Sequence, residues 1–398
     1  MAARTMLLRA AAGRRSARGV SLIELLVAMA LGLIVVLAVM SMLVVGEANR
    51  RTTTGTNDMT RTGGFTVATL DRALRSAGAG FAQGFDWGVM GCKLHAARNG
   101  TNVLPVSAAF PAPFAGLLGG ATDSADLRLA PVLIGQGQSQ TGSDILVTMG
   151  GSAALGDLPR LVRGNAGTQK ILLDNTLGLQ ANDVLLISAK SAGDCVVTQV
   201  DGTFTPPAGG TDTLPLAGLY FRANTTSSSL AGIAGSADAY MTALGNQDAD
   251  NLQMQMFGVG TGGILYRYDL LRSTGSSAAE PLAEGVYALR ALYAVDSSST
   301  PDGVWDGGYV APTGDYTIKT LMKTPDTQRR IVGVRVAMLV RSPVYEKTMV
   351  SPATYVLFSD QTALKYTVNL SDDDRHYRYR VIDTVVPLRN LLMKQPAS

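Results

Sequence analysis

The sequence has few of the residues that build metal centres and redox sites. It contains only two histidines, His95 and His376, and only two cysteines, Cys92 and Cys195. Neither histidine belongs to a cluster with cysteines that has the spacing of a metal site. No nucleophile-elbow motif is present either. The sequence therefore predicts no cofactor, no metal and no enzymatic activity.

Charge is also scarce, at 16% of residues, and it is unevenly placed. No acidic residue precedes Val20, whereas five arginines do: Arg4, Arg9, Arg14, Arg15 and Arg18. Without residues 1–19, 29 basic residues face 31 acidic ones, which is a net charge of −2. A near-neutral chain gives no support for broad nucleic-acid binding. The 46% of hydrophobic residues suffices for a sizeable core.

One long apolar run lies near the N-terminus. From Leu25 to Val45 no residue is charged, and a helix of that length spans about 30 Å, enough to cross a bilayer. The preceding arginines should keep the N-terminus in the cytoplasm. A cleaved secretory signal would be shorter and followed by a small-x-small site, which residues 44–56 lack. A plain signal anchor fits the length but does not explain Glu24, because a carboxylate in such a run costs free energy.

The stretch RGVSLIELLVAMALG, residues 18–32, resembles the type III signal of type IV prepilins and pseudopilins. The resemblance implies that a prepilin peptidase cuts after Gly19 and N-methylates Val20. Glu24 is then the fifth mature residue, which in this family pairs with the α-amine of a neighbouring subunit. Such a pair would offset the cost of each buried charge and set the register between subunits. Val20 stands where the family usually has Phe. Ser41 stands where many major pilins have a helix-breaking Pro, so an unbroken anchor helix is expected.

A second helical pattern follows the apolar run. FTVATLDRALRSAG, residues 65–78, places Phe65, Leu70, Leu74 and Ala77 near one face at helical spacing. In pilins this segment is the half of the long helix that packs on the globular domain; the alternative is a separate core helix. The preceding residues 63 and 64 are both glycine, a candidate point for a kink or interruption. Two further glycines, at 78 and 80, are expected to end the helix.

From about residue 81 the hydrophobic period changes to that of strands. The strand candidates are DILVTMG, QKILLD, NDVLLISA, CVVTQV, GGILYRYDLL, RRIVGVRVAMLVRS and HYRYRVIDTVVPL. Loops rich in Gly, Ser, Thr and Pro are expected at 201–216, 224–237 and 296–316. The predicted fold class is α+β, a long N-terminal helix followed by a mainly antiparallel β domain. The predicted segments are a leader over 1–19, a membrane and filament-core helix over 20–46, its continuation over 47–80 and an exported β-rich domain over 81–398.

Several blocks of this domain are similar to the PilW family of minor pilins. They are PLAEGVYALRALYAVDSSSTPDGVWDGG, RRIVGVRVAMLVRSP, HYRYRVIDTVVPLRNLL, LDRALRSAGAGF and GDCVVTQV. J-type pseudopilins of type II secretion share weaker versions. The resemblance implies a subunit that helps to initiate or cap a type IV pilus. The implied partners are prepilin peptidase, other minor pilins, the major pilin, the inner-membrane assembly machinery and a large tip adhesin. The implied location is the inner membrane and then the pilus tip at the cell surface.

Export of the domain also determines the expected redox state of the two cysteines. In an oxidising compartment a Cys92–Cys195 disulfide is expected, and the alternative is two buried thiols.

Three weaker patterns have simpler alternatives. GVGTGG, residues 258–263, fits a dinucleotide-binding glycine motif but is followed by a strand pattern, which favours a glycine hairpin. Asp296, Asp302 and Asp306, or residues 372–374, could bind calcium but lack the usual loop spacing, so a solvated turn is favoured. RHYRYR, residues 375–380, could bind nucleic acid, or it could be a half-buried strand with a solvated face.

Overall fold

The computed structural model describes residues 19–120, 126–151, 159–165, 167, 169–224, 229–272 and 279–392. The predicted leader, apart from Gly19, lies outside the described residues. The chain divides into two compact units, Met1–Thr54 and Gly55–Ser398.

The first element is a helix of 55 residues, α1 (Leu22–Ser76). It is continuous through Ser41 and through Gly63 and Gly64, so the expectation of an unbroken anchor helix is confirmed and that of an interruption at the glycine pair is wrong. The physical reason is packing, because a Cβ atom at Gly63 would overlap the Cδ1 atom of Ile382. Gly63 thus permits a close approach and does not break the helix.

The end of α1 follows the prediction. Gly78 and Gly80 have positive φ angles of 81° and 82°, which glycine adopts without strain. Gly80 also approaches the backbone of Ala243 so closely that a Cβ atom would lie 2.8 Å from its carbonyl oxygen. These two glycines turn the chain into the β-rich part of the second unit.

Within the second unit, α1 buries a face that includes Met59, Leu70 and Leu74, and Ala77, which directly follows the helix, is buried as well. The predicted position of Phe65 on this face is wrong, since its side chain is 52% exposed. At 3.6 residues per turn, a residue five positions from Leu70 lies about 140° away around the helix, on the opposite side.

The described residues form nineteen strands. In chain order they are β1 (Lys93–Arg98), β2 (Thr101–Leu104), β3 (Val132–Gly135), β4 (Ile145–Gly150), β5 (Arg160–Asn165), β6 (Lys170–Leu173), β7 (Asp183–Ala189), β8 (Asp194–Gln199), β9 (Thr213–Pro215), β10 (Ala239–Asn246), β11 (Gln253–Gly260), β12 (Ile264–Asp269), β13 (Glu280–Glu284), β14 (Val286–Val295), β15 (Tyr309–Val310), β16 (Ile331–Arg341), β17 (Thr354–Leu357), β18 (Tyr366–Asn369) and β19 (Tyr379–Pro387). Four short helices accompany them: α2 (Leu230–Ala234), α3 (Ile318–Leu321), α4 (Pro325–Gln328) and α5 (Arg389–Leu392).

These strands form four sheets. The largest has eight strands in the order β2-β1-β8-β7-β10-β5-β6-β9, and a second has five in the order β13-β12-β11-β4-β3. A third has four in the order β15-β14-β16-β19, and β17 pairs with β18 as a separate hairpin. Strands β1 and β8 are parallel, and the other described pairs are antiparallel. The predicted α+β class is confirmed.

The strand candidates of the sequence are all present, with ends shifted by up to three residues. One shift has consequences, because β19 begins at Tyr379 and residues Asp374–His376 form a 3₁₀ turn instead. The predicted loops also contain short elements, namely β9, α2 and β15. Part of the loop expected at 224–237, residues 225–228, lies outside the described residues.

Candidate functional site

The predicted processing residues lie at the start of α1. Gly19 and Val20 precede the helix, which begins at Leu22, and Glu24 lies in its first turn. The backbone N–H of Leu25 donates to the carbonyl oxygen of Ser21, 3.0 Å away. Gly19, Val20 and Glu24 are exposed, which leaves the predicted cleavage point accessible in this part of the chain.

The apolar side chains that follow are exposed as well. From Val20 to Val45, the large hydrophobic side chains are each at least 50% exposed. By length and composition, α1 is the one described helix that could cross a membrane. Exposed apolar surface of this extent is unfavourable in water and needs lipid or other apolar helices around it.

The two cysteines meet in the eight-stranded sheet. Cys92 directly precedes β1, Cys195 lies on β8, and the parallel register pairs Leu94 with Cys195. The two residues form a disulfide with their Cα atoms 5.6 Å apart, and both are buried. The predicted Cys92–Cys195 disulfide is confirmed, and the alternative of two buried thiols is wrong.

His95 lies beside this disulfide on β1. Its side chain is fully buried, and Nε2 lies 3.3 Å from the Asp194 carboxylate. Burial lowers the pKa of His95 below its ordinary value, although the hydrogen bond to Asp194 opposes this shift. Its neutral form is thus favoured in the folded domain.

The glycine-rich motif forms a hairpin, as the strand pattern after it predicts. GVGTGG comprises the last three residues of β11 and a 3₁₀ turn at Thr261–Gly263, and β12 begins directly after it at Ile264. Gly262 and Gly263 have positive φ angles of 76° and 71°, which explains the need for glycine. A dinucleotide site would need a helix after the glycines, and here a strand follows.

The aspartates of the 296–306 loop stabilise the loop itself. Asp296 Oδ2 accepts hydrogen bonds from the backbone N–H groups of Asp302 and Gly303, each at 2.7 Å. Asp306 accepts from the backbone N–H and the hydroxyl group of Ser297. Over the part of the chain that the structure describes, no three His, Cys, Asp or Glu side chains are grouped to hold a metal.

The RHYRYR stripe is engaged within the chain. The ring of His376 stacks on Tyr345 with centroids 4.8 Å apart, and Arg378 donates to Glu346. The predicted strand alternation fails before Tyr379, because the 3₁₀ turn ends at His376. The alternation is present from Tyr379, which is buried, to Arg380, which is exposed.

An open pocket of about 460 Å³ on the four-stranded sheet was missed by the sequence interpretation. Its lining comes from separate elements: Trp305, Gly307, Tyr309, Arg335, Asp360, Gln361, Asp383, Thr384 and Val385. No motif groups these residues, since they come together only when β15, β16, β19 and the loops beside them pack. A tryptophan in a loop rich in Gly and Asp is the one local signal that could have indicated the site.

Comparisons with known family models match two regions of the chain. Residues 238–390 match the model of the Type IV Pilus-assembly protein W family, PilW. Residues 14–44 match the prokaryotic N-terminal methylation motif. The chain is type IV pilin-like. The predicted resemblance to the PilW family is confirmed.

No curated protein matches this pilin-like chain. Among solved structures it is similar to a type IV-like pilin from Thermus thermophilus, with 15% sequence identity and a TM-score of 0.18. That alignment covers 53% of this chain and 87% of the other.

Proposed function

We propose that this chain is a minor pilin that takes part in initiating the assembly of a type IV pilus and caps the filament. The observation that carries the proposal is the presence on one chain of a methylation motif at residues 14–44 and a PilW region at residues 238–390. The exposed apolar half of α1 is consistent with a membrane anchor that later joins a filament core. Twitching motility and adhesion would depend on such a subunit.

Processing is part of the proposal. The leader over 1–19 is removed after Gly19, Val20 becomes the N-methylated terminus, and Glu24 pairs with the α-amine of a neighbouring subunit. Two opposite charges in an apolar surrounding remove much of each other's desolvation cost. This pairing would explain why a run suited to the membrane contains one carboxylate.

The position at the tip rests on size. The second compact unit, Gly55–Ser398, is far bulkier than the globular part of a typical major pilin. A bulky domain is hard to repeat at close helical spacing but fits at a filament end. The proposed partners are prepilin peptidase, other minor pilins, the major pilin, the inner-membrane assembly machinery and a large tip adhesin.

A J-type pseudopilin of type II secretion is the second candidate, because the methylation motif is common to both systems. A tip module that binds DNA or a surface is a third, weaker candidate. The contacts of His376 and Arg378 within the chain give the DNA function no support.

Deletion of the gene, followed by counts of surface pili and assays of type II secretion, tests the proposal. A minor subunit that starts filaments should, when absent, reduce the number of pili per cell and leave the length of the remaining pili unchanged. Normal piliation with impaired secretion would favour the pseudopilin function instead. Complementation with the wild-type gene is the control.

A further inference from the structure

The pocket on the four-stranded sheet has one aromatic wall. Trp305 is 45% exposed, and its ring centroid lies 5.1 Å from that of Tyr309. The indole Nε1–H donates to the carbonyl oxygen of Gly308 at 2.9 Å, so the polar atom of the indole is already engaged. The part of Trp305 that faces solvent is therefore apolar ring. An exposed aromatic face that lines a pocket is a surface on which the apolar face of a ligand can stack.

The loop that carries Trp305 is held in place before any ligand arrives. Asp296 accepts hydrogen bonds from the backbone of Asp302 and Gly303, which lie shortly before Trp305 in the chain. Asp306, the residue directly after Trp305, accepts a hydrogen bond from Ser297. Because the backbone is fixed on both sides of the ring, little conformational entropy would be lost when a ligand stacks on it.

The floor of the pocket is polar and equally fixed. The Arg335 guanidinium donates two hydrogen bonds to Asp360, at 2.8 and 2.6 Å, and two to Asp383, at 2.9 and 2.7 Å. Hydrogen bonding by Arg335 keeps the pKa of Asp360 well below its usual range, so this carboxylate stays ionised. The Arg335 side chain is 11% exposed, whereas that of Asp360 is 55% exposed and accessible to a ligand.

The donors and acceptors of this floor suit hydroxyl groups. Asp360 and Asp383 are acceptors, Gln361 and Thr384 are both donor and acceptor, and all four line the pocket. A ligand cation would use only the acceptors, and Arg335 already neutralises one of the two carboxylate charges. A ligand anion would meet a site of net charge −1. A hydroxyl group can donate to a carboxylate and accept from a neighbouring amide or hydroxyl.

We propose that this pocket binds a neutral saccharide, whose C–H face stacks on Trp305 while its hydroxyl groups hydrogen-bond to Asp360, Gln361 and Asp383. A pyranose ring combines one apolar face with a rim of hydroxyl groups, as this pocket combines an apolar wall with a polar floor. The volume of about 460 Å³ is within the range of small-ligand sites and accommodates one or two sugar rings. This inference does not depend on the assembly role, because it concerns only the second compact unit.

Tryptophan fluorescence of the full chain tests the proposal. The chain has two tryptophans, so a Trp87→Phe background makes Trp305 the single reporter. The protein is kept in a polyoxyethylene ether detergent, because sugar or choline headgroups would compete. The probes are glucose, galactose, mannose, N-acetylglucosamine and N-acetylgalactosamine, with choline chloride and inorganic phosphate as charged alternatives. We expect a saturable change in emission with at least one neutral sugar and none with choline or phosphate.

Calorimetry with variants locates the binding. Trp305→Ala and Asp383→Asn should each weaken binding about tenfold or more. The matched controls are Tyr345→Ala, which removes an exposed aromatic ring elsewhere, and Asp174→Asn, which alters an exposed ion pair outside the pocket. Both controls should leave affinity unchanged. If urea unfolding shows that Trp305→Ala is misfolded, the sugar affinity of Asp383→Asn alone tests the proposal.

Three results would overturn the proposal. They are the absence of any emission change with the five sugars, a change with choline or phosphate alone, and sugar affinity that survives both pocket substitutions. Loss of sugar binding with normal piliation would leave the assembly role intact, so the two proposals fail separately.

Discussion

The Asp144 carboxylate lies 2.7 Å from Nη1 of Arg290, and the two side chains are 2% and 13% exposed. Asp144 also accepts hydrogen bonds from the backbone N–H groups of Gly137 and Ala291, at 2.8 and 2.9 Å. It directly precedes β4 of the five-stranded sheet, whereas Arg290 lies on β14 of the four-stranded sheet. This ion pair therefore connects the two sheets.

Asp144→Ala should destabilise the domain by up to about 3–5 kcal/mol, because it leaves the Arg290 guanidinium, whose side chain is 13% exposed, without its carboxylate partner. Asp174→Ala is the matched control, since Asp174 pairs with Arg163 at an exposed site and should cost less than about 1 kcal/mol. Urea unfolding of the detergent-solubilised chain measures both. Equal losses in the two variants would contradict a special role for Asp144.

The glycine pair of α1 offers a second matched comparison. Gly64 has open space around its Cα, so Gly64→Ala should stabilise the chain by roughly 0.5–1 kcal/mol through helix propensity. Gly63→Val should instead destabilise it, because the new side chain would collide with Ile382. The urea midpoint reports both changes. A stabilising Gly63→Val would mean that α1 does not pack closely on β19.

His95 should make the domain sensitive to acid. Its folded-state pKa is lowered by burial, so below the unfolded-state value of about 6.5 the unfolded chain binds more protons. The contribution of His95 to the free energy of unfolding is thus present in full above pH 6.5, and it is lost as the pH falls through the folded-state pKa. The charged neighbours of His95 are Asp194 and Lys93.

Unfolding free energies at pH 7 and pH 5 test this, and His95→Asn should reduce the difference between them. The second histidine serves as the control, since His376→Asn changes a side chain that is only partly buried. A pH dependence that is unchanged in His95→Asn would show that another group causes it.

Local signals account for what could be predicted from the sequence. The glycines of GVGTGG and the alternating strand after them determine a hairpin between neighbours in the chain. The prediction of the disulfide required only an exported domain and two cysteines. Phe65 was misplaced because an apolar residue five positions from Leu70 falls within a helical window but on the other side of the helix.

The pocket beside Trp305 could not be predicted in this way. Arg335 pairs with Asp360 and Asp383 across β16, β19 and a loop, and only the tertiary fold brings them together. The role of Gly63 was misread for the same reason, since Ile382, its packing partner, is distant in the sequence. Sequence patterns report on a residue's neighbours in the chain, and these sites depend on neighbours in space.

Glu24→Ala should leave membrane insertion intact and reduce the number of surface pili. Removal of the carboxylate makes the segment more apolar, so anchoring should not weaken. The lost contact is that to an α-amine of a neighbouring subunit, worth about 3–5 kcal/mol for a fully buried pair and less near the membrane surface. Pilus counts and a membrane-fraction blot measure the two effects. Normal piliation at a normal protein level would exclude a pairing role, and loss of the protein from membranes would indicate a role in insertion instead.

The central claim, that the chain is processed and assembled as a pilin subunit, is tested most directly at its mature N-terminus. The measurement is mass spectrometry of the chain recovered from sheared surface pili. We predict a terminal peptide that begins at N-methylated Val20, present in much smaller amount than the major pilin. Absence of the chain from pili, or a terminus downstream of Val45, would contradict the account.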